Sequence, residues 1–331
     1  MNSQANATPS YTPISKLRFE EFKLPFALNA PKSWLKFSPK SEQIAVAYQE
    51  NANVDIFDVI TGQLQAKLIK PKQARISRGV NYLSWSPNGK LFAVSYQDNT
   101  SLVWDVSVIT APRVVLTIDQ PATVFNISWS PDSNQLAFAY TNAETIISVW
   151  DLTSKNVTES FPKEIRQIQW SPNGKWIAVL KWGLAGELID YSTRNTILTL
   201  SPSIKDGFVL NQIAASWSPD SQRLIVVDCN ATSADCIVWF QDITDSKHIL
   251  GSDSSSTTLG IGEFAWQPNS SIVATNSGES VINIWDANSG TLLSTIDTLE
   301  NRAASLDWNF DGTILAAVTA DGSTRAWKTI N

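Results

Sequence analysis

The chain has 331 residues and a formal net charge of −6, with an isoelectric point of about 4.9. Its overall charge repels phosphate backbones, so we expect no nucleic-acid partner, because such binding depends on Lys and Arg neutralising phosphates. No apolar stretch approaches the roughly 18 to 20 residues that span a bilayer, so we expect no membrane partner either.

The chain begins with a polar segment, residues 1–13, which is rich in Asn, Ser, Thr and Pro. It has neither the basic start nor the apolar middle of a signal peptide, so we predict a flexible tail and a cytoplasmic location. An extracytoplasmic location is the alternative, if a leader has been removed. The remainder, residues 14–331, is predicted to form a single domain.

One pattern, an aromatic residue followed by a turn and a short apolar run, recurs seven times. Consecutive copies are 48, 44, 41, 47, 49 and 42 residues apart, and they start at Phe37, Trp85, Trp129, Trp170, Trp217, Trp266 and Trp308. A period in the forties with strand-type residues on both sides of each turn is typical of propeller blades. The repeat predicts an all-β, seven-bladed β-propeller of four-stranded antiparallel blades.

Each turn has residues suited to a tight hairpin. Most copies read Ser-Pro and then Asn or Asp followed by Gly or Ser. Pro fixes φ, and the residues after it tolerate the left-handed step that closes the turn. The strands predicted to follow are Gln43 to Ala47, Leu91 to Ser95, Gln135 to Tyr140, Trp176 to Leu180, Leu224 to Val227, Ile272 to Thr275 and Ile314 to Thr319.

A second aromatic position follows 19 to 22 residues after the first, and Asp usually comes next. It is occupied by Phe57, Trp104, Trp150, Trp239, Trp285 and Trp327, whereas the fourth copy has Ile189. Eleven of the fourteen tryptophans belong to the two positions. We predict that their rings fill the wedges between blades, each burying about 150 to 250 Å². Trp34, Trp176 and Trp182 remain, of which Trp34 and Trp176 are predicted to be core residues.

The chain resembles the WD40 repeat family from about Leu17 to Lys328. The resemblance rests on the Trp-Ser-Pro-Asp-Gly-like turns and on closings such as Leu102-Val103-Trp104-Asp105. Typical members carry a Gly-His pair between blades, whose histidine links Asp, Ser or Thr, and Trp by hydrogen bonds. Here the only histidine is His248, so we expect cohesion from tryptophan and aliphatic packing.

The two ends of the chain are predicted to meet in one blade. After Trp327 only Lys328 to Asn331 remain, too few for a fourth strand. The segment from Ser15 to Lys23 has strand-like apolar positions. We predict that it completes blade seven and leaves few open sheet edges.

The two cysteines, Cys229 and Cys236, lie seven residues apart in one repeat. They are placed to face each other across a hairpin at bridging distance. A disulfide and a pair of reduced thiols both remain open, since the outcome depends on the compartment.

Catalytic patterns are absent from the sequence. One histidine and two cysteines do not make a metal site, and no phosphate-binding loop or nucleophile turn appears. We therefore expect no catalytic residue, metal or cofactor, and no enzymatic activity.

The resemblance implies that loops joining the fourth strand of one blade to the first of the next, and the second strand to the third, gather on one face. Local positive charge from Lys67 to Arg78 and the tight connection containing Trp182 favour a binding surface there. The candidate partner-binding residues are Lys72, Arg75, Arg78, Arg166, Lys181, Trp182, Phe208 and Arg302.

The leading hypothesis is a monomeric protein-interaction scaffold whose protein or peptide partner is acidic. One alternative is a propeller-class hydrolase or small-ligand binder, lactonase-like, using carboxylates near the central channel. Another is a sensor module of a larger signalling system.

Overall fold

The computed structural model describes residues 17–25, 32–48, 52–71, 79–142, 144–161, 165–181, 184–200, 210–230, 236–250, 263–276, 280–299 and 301–330. Within these residues the chain forms 28 strands in seven four-stranded sheets. The predicted all-β, seven-bladed propeller is confirmed. Across the described ranges, no helix has the length and hydropathy needed to cross a membrane. The predicted tail, residues 1–13, lies outside them.

Strand β1 (Arg18–Phe22) precedes the first blade, and each blade then runs from an inner strand a to an outer strand d. Blade one has β2 (Lys32–Phe37), β3 (Gln43–Tyr48), β4 (Val54–Asp58) and β5 (Leu64–Leu68). Blade two has β6 (Val80–Trp85), β7 (Leu91–Tyr96), β8 (Thr100–Asp105) and β9 (Arg113–Asp119). Blade three has β10 (Val124–Trp129), β11 (Gln135–Asn142), β12 (Glu144–Asp151) and β13 (Asn156–Phe161).

The remaining blades repeat this order. Blade four has β14 (Ile165–Trp170), β15 (Trp176–Lys181), β16 (Leu184–Asp190) and β17 (Thr196–Leu200). Blade five has β18 (Leu210–Trp217), β19 (Arg223–Asn230), β20 (Cys236–Asp242) and β21 (His248–Leu250). Blade six has β22 (Phe264–Trp266), β23 (Ile272–Asn276), β24 (Val281–Asp286) and β25 (Thr291–Asp297). Blade seven has β26 (Ala303–Trp308), β27 (Ile314–Thr319) and β28 (Thr324–Ile330).

The turns between strands a and b form as their residue types predict. In blade two the Ser86 hydroxyl accepts a hydrogen bond from the Leu91 amide at 2.9 Å. The Gly89 amide donates to the Ser86 carbonyl at 2.8 Å, with φ at Gly89 of 70°. Ser133 and Ser221 take the same left-handed step, each at a φ of 62°.

The hydrophobic core lies in the wedges between neighbouring blades. In blade two, Trp85, Phe92 and Trp104 stand in one row across three strands. One buried cluster joins Leu68 of blade one to Trp85 and Phe92 of blade two. The repeat aromatics therefore fill the wedges.

The first-position tryptophans also make polar links between blades. In three blades the indole N–H donates to a backbone carbonyl in the preceding blade, which aromatic packing alone would not provide. The bonds are Trp85 to Lys36 at 3.1 Å, Trp129 to Ser84 at 3.3 Å and Trp217 to Gln169 at 3.2 Å.

Blade five departs from the predicted register. Trp217 pairs with Leu224, which pairs in turn with Gln241. The second-aromatic position is therefore held by Gln241, followed by Asp242, and its assignment to Trp239 was wrong. Trp239 lies two residues earlier on the same face of strand β20, because side chains alternate with a period of two.

The two remaining tryptophans of the described strands, predicted to be core residues, pack at the edges of buried clusters instead. Trp34 is half-buried, and its ring centroid is 5.3 Å from that of Tyr82. Trp176 is half-buried and stacks on Trp217 at a centroid distance of 6.0 Å.

Strand β1 closes the ring as predicted. It pairs antiparallel with β28, from Arg18 opposite Ile330 to Phe22 opposite Ala326. The Arg325 guanidinium is 2.8 Å from a carboxylate oxygen of Glu21. The outer strand of blade seven thus comes from the N-terminal side, and the last sheet contains both ends of the described chain.

Candidate functional site

Two faces result from this topology. Connections from strand d to the next strand a, and from strand b to strand c, lie on one side, here called the loop-rich face. Turns between strands a and b, and between c and d, lie on the other side, the turn face. The central channel runs between them and is lined by the strands a, which contact one another around the axis.

Three of the predicted partner-binding residues lie within the described ranges, and all three are at the loop-rich end of their strands. Arg166 is the second residue of β14, and Lys181 ends β15, where its Cα pairs with that of Ile165. Arg302 precedes β26. Arg166 and Lys181 therefore share blade four, whereas Arg302 is on blade seven, so these three do not form one patch.

The three cations differ in their surroundings. The Lys181 ammonium is 2.6 Å from a carboxylate oxygen of Glu187, which balances its charge. Arg166 is half-buried, and burial lowers the pKa of its guanidinium. Arg302 is exposed. The other predicted residues, Lys72, Arg75, Arg78, Trp182 and Phe208, lie outside the described residues.

Part of the predicted basic run pairs within the chain. The Lys70 ammonium forms an ion pair with Asp98 in which both side chains are buried, and it lies 4.4 Å from the centre of the Tyr96 ring. The Lys67 ammonium is 3.8 Å from a carboxylate oxygen of Asp55.

The Lys70–Asp98 pair links two blades at the loop-rich face. Lys70 follows the last strand of blade one, and Asp98 lies between strands b and c of blade two. Asn301 and Asp321 are placed in the same way between blades six and seven, with the amide nitrogen of Asn301 3.2 Å from the carboxylate. We expected cohesion from tryptophan and aliphatic packing, and at these two junctions polar links are present as well.

Two large aliphatic side chains are exposed in the d–a connections of this face. Ile69 is 60% exposed and Leu299 is 63% exposed. Leu299 also has a φ of 54°, a left-handed conformation that is unusual for a leucine.

The cysteines lie in blade five, at the same face. The Cα atoms of Cys229 and Cys236 are directly paired between β19 and β20, and Cys236 is disulfide-bonded. Since the sequence has two cysteines, a bridge between them is the one pairing that the chain itself offers.

The residues of the central channel were not predicted from the sequence. A cavity of about 570 Å³ lies there, lined by the strands a and by the prolines of the a–b turns, which places it at the turn-face end. Its polar lining includes the residue before the first aromatic in six of seven blades: Lys36, Ser84, Ser128, Gln169, Ser216 and Asp307. The recurrence of polar residues at this position of the repeat could have predicted a polar channel from the sequence.

Three charged groups meet in this channel. The Lys36 ammonium is 3.5 Å from a carboxylate oxygen of Glu263 and 3.3 Å from the Leu306 carbonyl. The Asp307 carboxylate accepts a hydrogen bond from the Phe37 amide at 2.8 Å. The first contact joins blade one to blade six, and the last joins blade one to blade seven.

The protonation of this cluster follows from burial and from neighbouring charges. Burial alone would lower the pKa of Lys36, but Glu263 and Asp307 outweigh it and raise that pKa. Burial raises the pKa of both Glu263 and Asp307, and Lys36 offsets this only in part. Burial and the charge on Glu263 raise the pKa of Tyr82, which lines the same cavity, to about 12.

Among the described residues, no group of three or more His, Cys, Asp or Glu side chains is arranged to hold a metal ion. In the channel, Glu263 instead pairs with Lys36, and Asp307 accepts a hydrogen bond from the Phe37 amide.

Comparisons with known proteins agree with this architecture. The sequence model of the family described as "WD domain, G-beta repeat" matches residues 72–105. The model described as "Eukaryotic translation initiation factor eIF2A" matches residues 94–205.

The curated relatives include WD-repeat proteins. "Cell division cycle 20.1, cofactor of APC complex" from Arabidopsis thaliana is 22% identical, over 70% of this chain and 49% of the relative. "WD repeat-containing protein AAC3" from Dictyostelium discoideum is 24% identical, over 57% of this chain and 38% of the relative. The chain thus spans about half or less of the length of these proteins.

Among solved structures, the β-propeller domain of Cps50 (Swd1) from Myceliophteria thermophila superimposes with a TM-score of 0.73. The match covers 95% of this chain and 100% of that domain, at 15% sequence identity. Repeat pattern, blade topology and these matches lead to one assignment. The chain is a WD40-repeat β-propeller.

Proposed function

We propose that the chain is a protein-interaction scaffold that binds a protein partner on its loop-rich face, without catalysing a reaction. Relatives support a role in assemblies, since their names describe a cofactor of a complex and a small ribosomal subunit protein, RACK1y of Oryza sativa. The matches cover 49% of the first relative and 30% of the second, so neither name identifies the partner of this chain.

One observation carries the choice of face. The a–b connections have five residues in every blade, as in 38–42, 86–90 and 130–134. The d–a connections range from three residues, 162–164, to thirteen, 251–263. The c–d connections, also on the turn face, range only from four residues, 152–155, to seven, 106–112, whereas loops of widely varied length on fixed roots are where binding surfaces arise.

The proposed surface combines apolar and basic groups. Ile69, Leu299 and Arg302 are its exposed members among the described residues. Because Lys67, Lys70 and Lys181 pair with acids of the chain itself, we assign attraction of an acidic partner segment to Lys72, Arg75, Arg78 and Arg166, and apolar contacts with it to Trp182 and Phe208.

A matched pair of double variants tests this proposal. Ile69→Asp/Leu299→Asp places two charges on the loop-rich face. Ile60→Asp/Val108→Asp does the same on the turn face, where Ile60 is 70% and Val108 60% exposed. Recovery of host partners, measured by quantitative mass spectrometry of pull-downs, should fall for the first variant alone. Loss with the second variant alone would assign the partner to the turn face.

Two further variants test the finer assignment. Trp182→Ala and Arg75→Ala/Arg78→Ala should each reduce partner recovery, since Trp and Arg dominate interface energies. Unchanged recovery for both would move the contact elsewhere on the face.

We propose a monomer in the cytoplasm that does not bind nucleic acid, given the net charge of −6. A relative from Vanderwaltozyma polyspora, named a probable cytosolic iron-sulfur protein assembly protein, supports the compartment. A cytoplasm would keep the two thiols reduced, whereas export would preserve the disulfide. Alkylation of freshly lysed host cells distinguishes these cases: two labelled thiols support the cytoplasm, and none supports the extracytoplasmic alternative.

A further inference from the structure

We propose that the cavity at the turn-face end of the central channel binds a small organic cation, a protonated amine carried on an apolar stem. This site lies at the opposite end of the molecule from the proposed partner surface and does not depend on it. Neither family resemblance nor the relatives assign a ligand there.

The charges of the cavity favour a cation. Two carboxylates, Glu263 and Asp307, face one ammonium, Lys36. When all three are ionised, the cluster has one negative charge in excess. The Phe37 amide stabilises Asp307 through a hydrogen bond but carries no net charge. A cation from outside would complete the balance, and such pairing is stronger inside a cavity than at an exposed surface.

The walls of the cavity suit an apolar stem. Six prolines and five indole rings line it together with the polar groups: Pro39, Pro87, Pro131, Pro172, Pro219, Pro268, Trp85, Trp129, Trp170, Trp266 and Trp308. Apolar and polar groups therefore share the wall, which suits a ligand with an apolar stem and one charged end.

The volume of the cavity and its hydrogen-bonding groups also fit a small ligand. Its volume of about 570 Å³ falls within the range of about 300 to 1,000 Å³ that small-ligand sites occupy. Gln167 and Gln169 contribute amide groups from blade four, and the Gln167 amide is fixed by two hydrogen bonds to the backbone of Ala215, at 3.0 and 2.8 Å. The wall is therefore preorganised.

A series of probes with one stem and different charges tests the proposal on the full chain. Isothermal titration calorimetry at pH 7 would compare hexylammonium, hexan-1-ol and hexanoate. We expect saturable one-to-one binding of hexylammonium, affinity weaker by about tenfold or more for hexan-1-ol, and no binding of hexanoate. Equal binding of all three, or none at millimolar concentration, would overturn the proposal.

Three variants assign the binding to the cluster. Asp307→Asn and Glu263→Gln should each weaken hexylammonium binding about tenfold, whereas Asp119→Asn, at an exposed position of β9, should leave it unchanged. Lys36→Met removes the competing cation and should strengthen binding, a gain that loss of folding cannot produce. If Lys36→Met and Glu263→Gln both leave the affinity unchanged, the amine binds elsewhere and the proposal fails.

Discussion

Lys70 shows how a single residue compensates for the absent blade-linking histidines. Its ammonium reaches Asp98 of the next blade, and both side chains are buried. Burial opposes ionisation of Asp98, but the hydrogen bonds from Lys70 and Thr100 outweigh it and lower the pKa of this carboxyl. Two blades are therefore held by a charge pair at a junction where typical family members use histidine.

Replacing Lys70 by Met should lower the free energy of unfolding by about 3 kcal/mol at pH 7, because it leaves a buried carboxylate without its partner. Lys67→Met is the matched control. Lys67 is exposed and only 3.8 Å from Asp55, so its loss should cost less than about 1 kcal/mol. Urea denaturation measures both.

The pH dependence of this difference has a defined sign. A lowered pKa in the folded state means that the stabilisation from Asp98 is complete above its unfolded pKa, about 3.9. It is lost as the pH falls through the lower folded value. The gap between wild type and Lys70→Met should therefore close in acid, and a gap that widens below pH 4 would contradict the assignment.

Asp228 is a buried acid with the opposite behaviour. Burial raises its pKa to about 6, against the effect of the hydrogen bond from the Trp239 indole, which is 2.5 Å long. Ionised Asp228 thus costs stability above pH 6, and the cost disappears as the pH falls toward 4. Asp228→Asn should stabilise the protein by about 2 to 3 kcal/mol at pH 7.

The measurement is urea denaturation of both proteins between pH 4.5 and pH 7.5. The advantage of Asp228→Asn should shrink with falling pH, while Asp119→Asn, an exposed counterpart, should show no such trend. An advantage that stays constant across the range would mean that Asp228 is not titrating there.

Little of this residue-scale detail was predictable from the sequence. The count of one histidine correctly excluded the usual network, but nothing in the repeat marks Lys70 or Asn301 as its replacement. Both lie just outside the strands, where the pattern has no fixed position. Their roles depend on an aspartate some 20 or more residues away in the chain, in the next blade.

At the scale of strands and blades, the first-position tryptophans have two functions. Their rings fill the wedges, and in three blades their N–H groups bond to the preceding blade. Trp170 is equally buried, but its indole N–H has no hydrogen-bond partner among the described residues. This gives a comparison within one molecule.

Trp85→Phe and Trp170→Phe remove similar ring volume, but only the first removes a hydrogen bond to another blade. We expect Trp85→Phe to be more destabilising by about 1 kcal/mol. Thermal and urea denaturation of the two variants would show it. Equal losses would mean that the rings act through packing alone.

Strand β1 is the element on which closure of the ring depends. Deleting residues 1–23 exposes the edge of β28 and removes the contact between Glu21 and Arg325. We expect the melting temperature to fall by on the order of 10 °C. Deletion of residues 1–13 is the control, since β1 begins at Arg18, and it should have no effect.

The elements were largely predictable because the signal is local. Ser-Pro-Asn-Gly specifies a hairpin within five residues, so the seven registers and their strands could be read directly. Blade five was misread because its b–c hairpin is longer than those of the other blades, so the residue opposite Leu224 falls later in the chain than the spacing count predicts. Trp239 and Gln241 lie on the same face, and only the pairing shows which one faces Leu224.

Over the whole molecule, the fold separates two surfaces with different properties. The turn face repeats with short connections around a polar channel, whereas the loop-rich face carries the varied connections. The number of blades and the closure of the ring were predictable from the sequence. The channel cluster did not, because Lys36 and Glu263 are 227 residues apart and meet only when the ring is complete.

The central claim is that a protein partner docks on the loop-rich face. Amine-reactive cross-linking of the partner complex, followed by mass spectrometry, tests it most directly. Lysines mark both faces: Lys181 on the loop-rich face, with Lys72 between β5 and β6 in the sequence, and Lys40, Lys90 and Lys175, all exposed, in the a–b turns. We predict cross-links to the partner at Lys72 and Lys181. Cross-links concentrated at Lys40, Lys90 and Lys175 would contradict the claim.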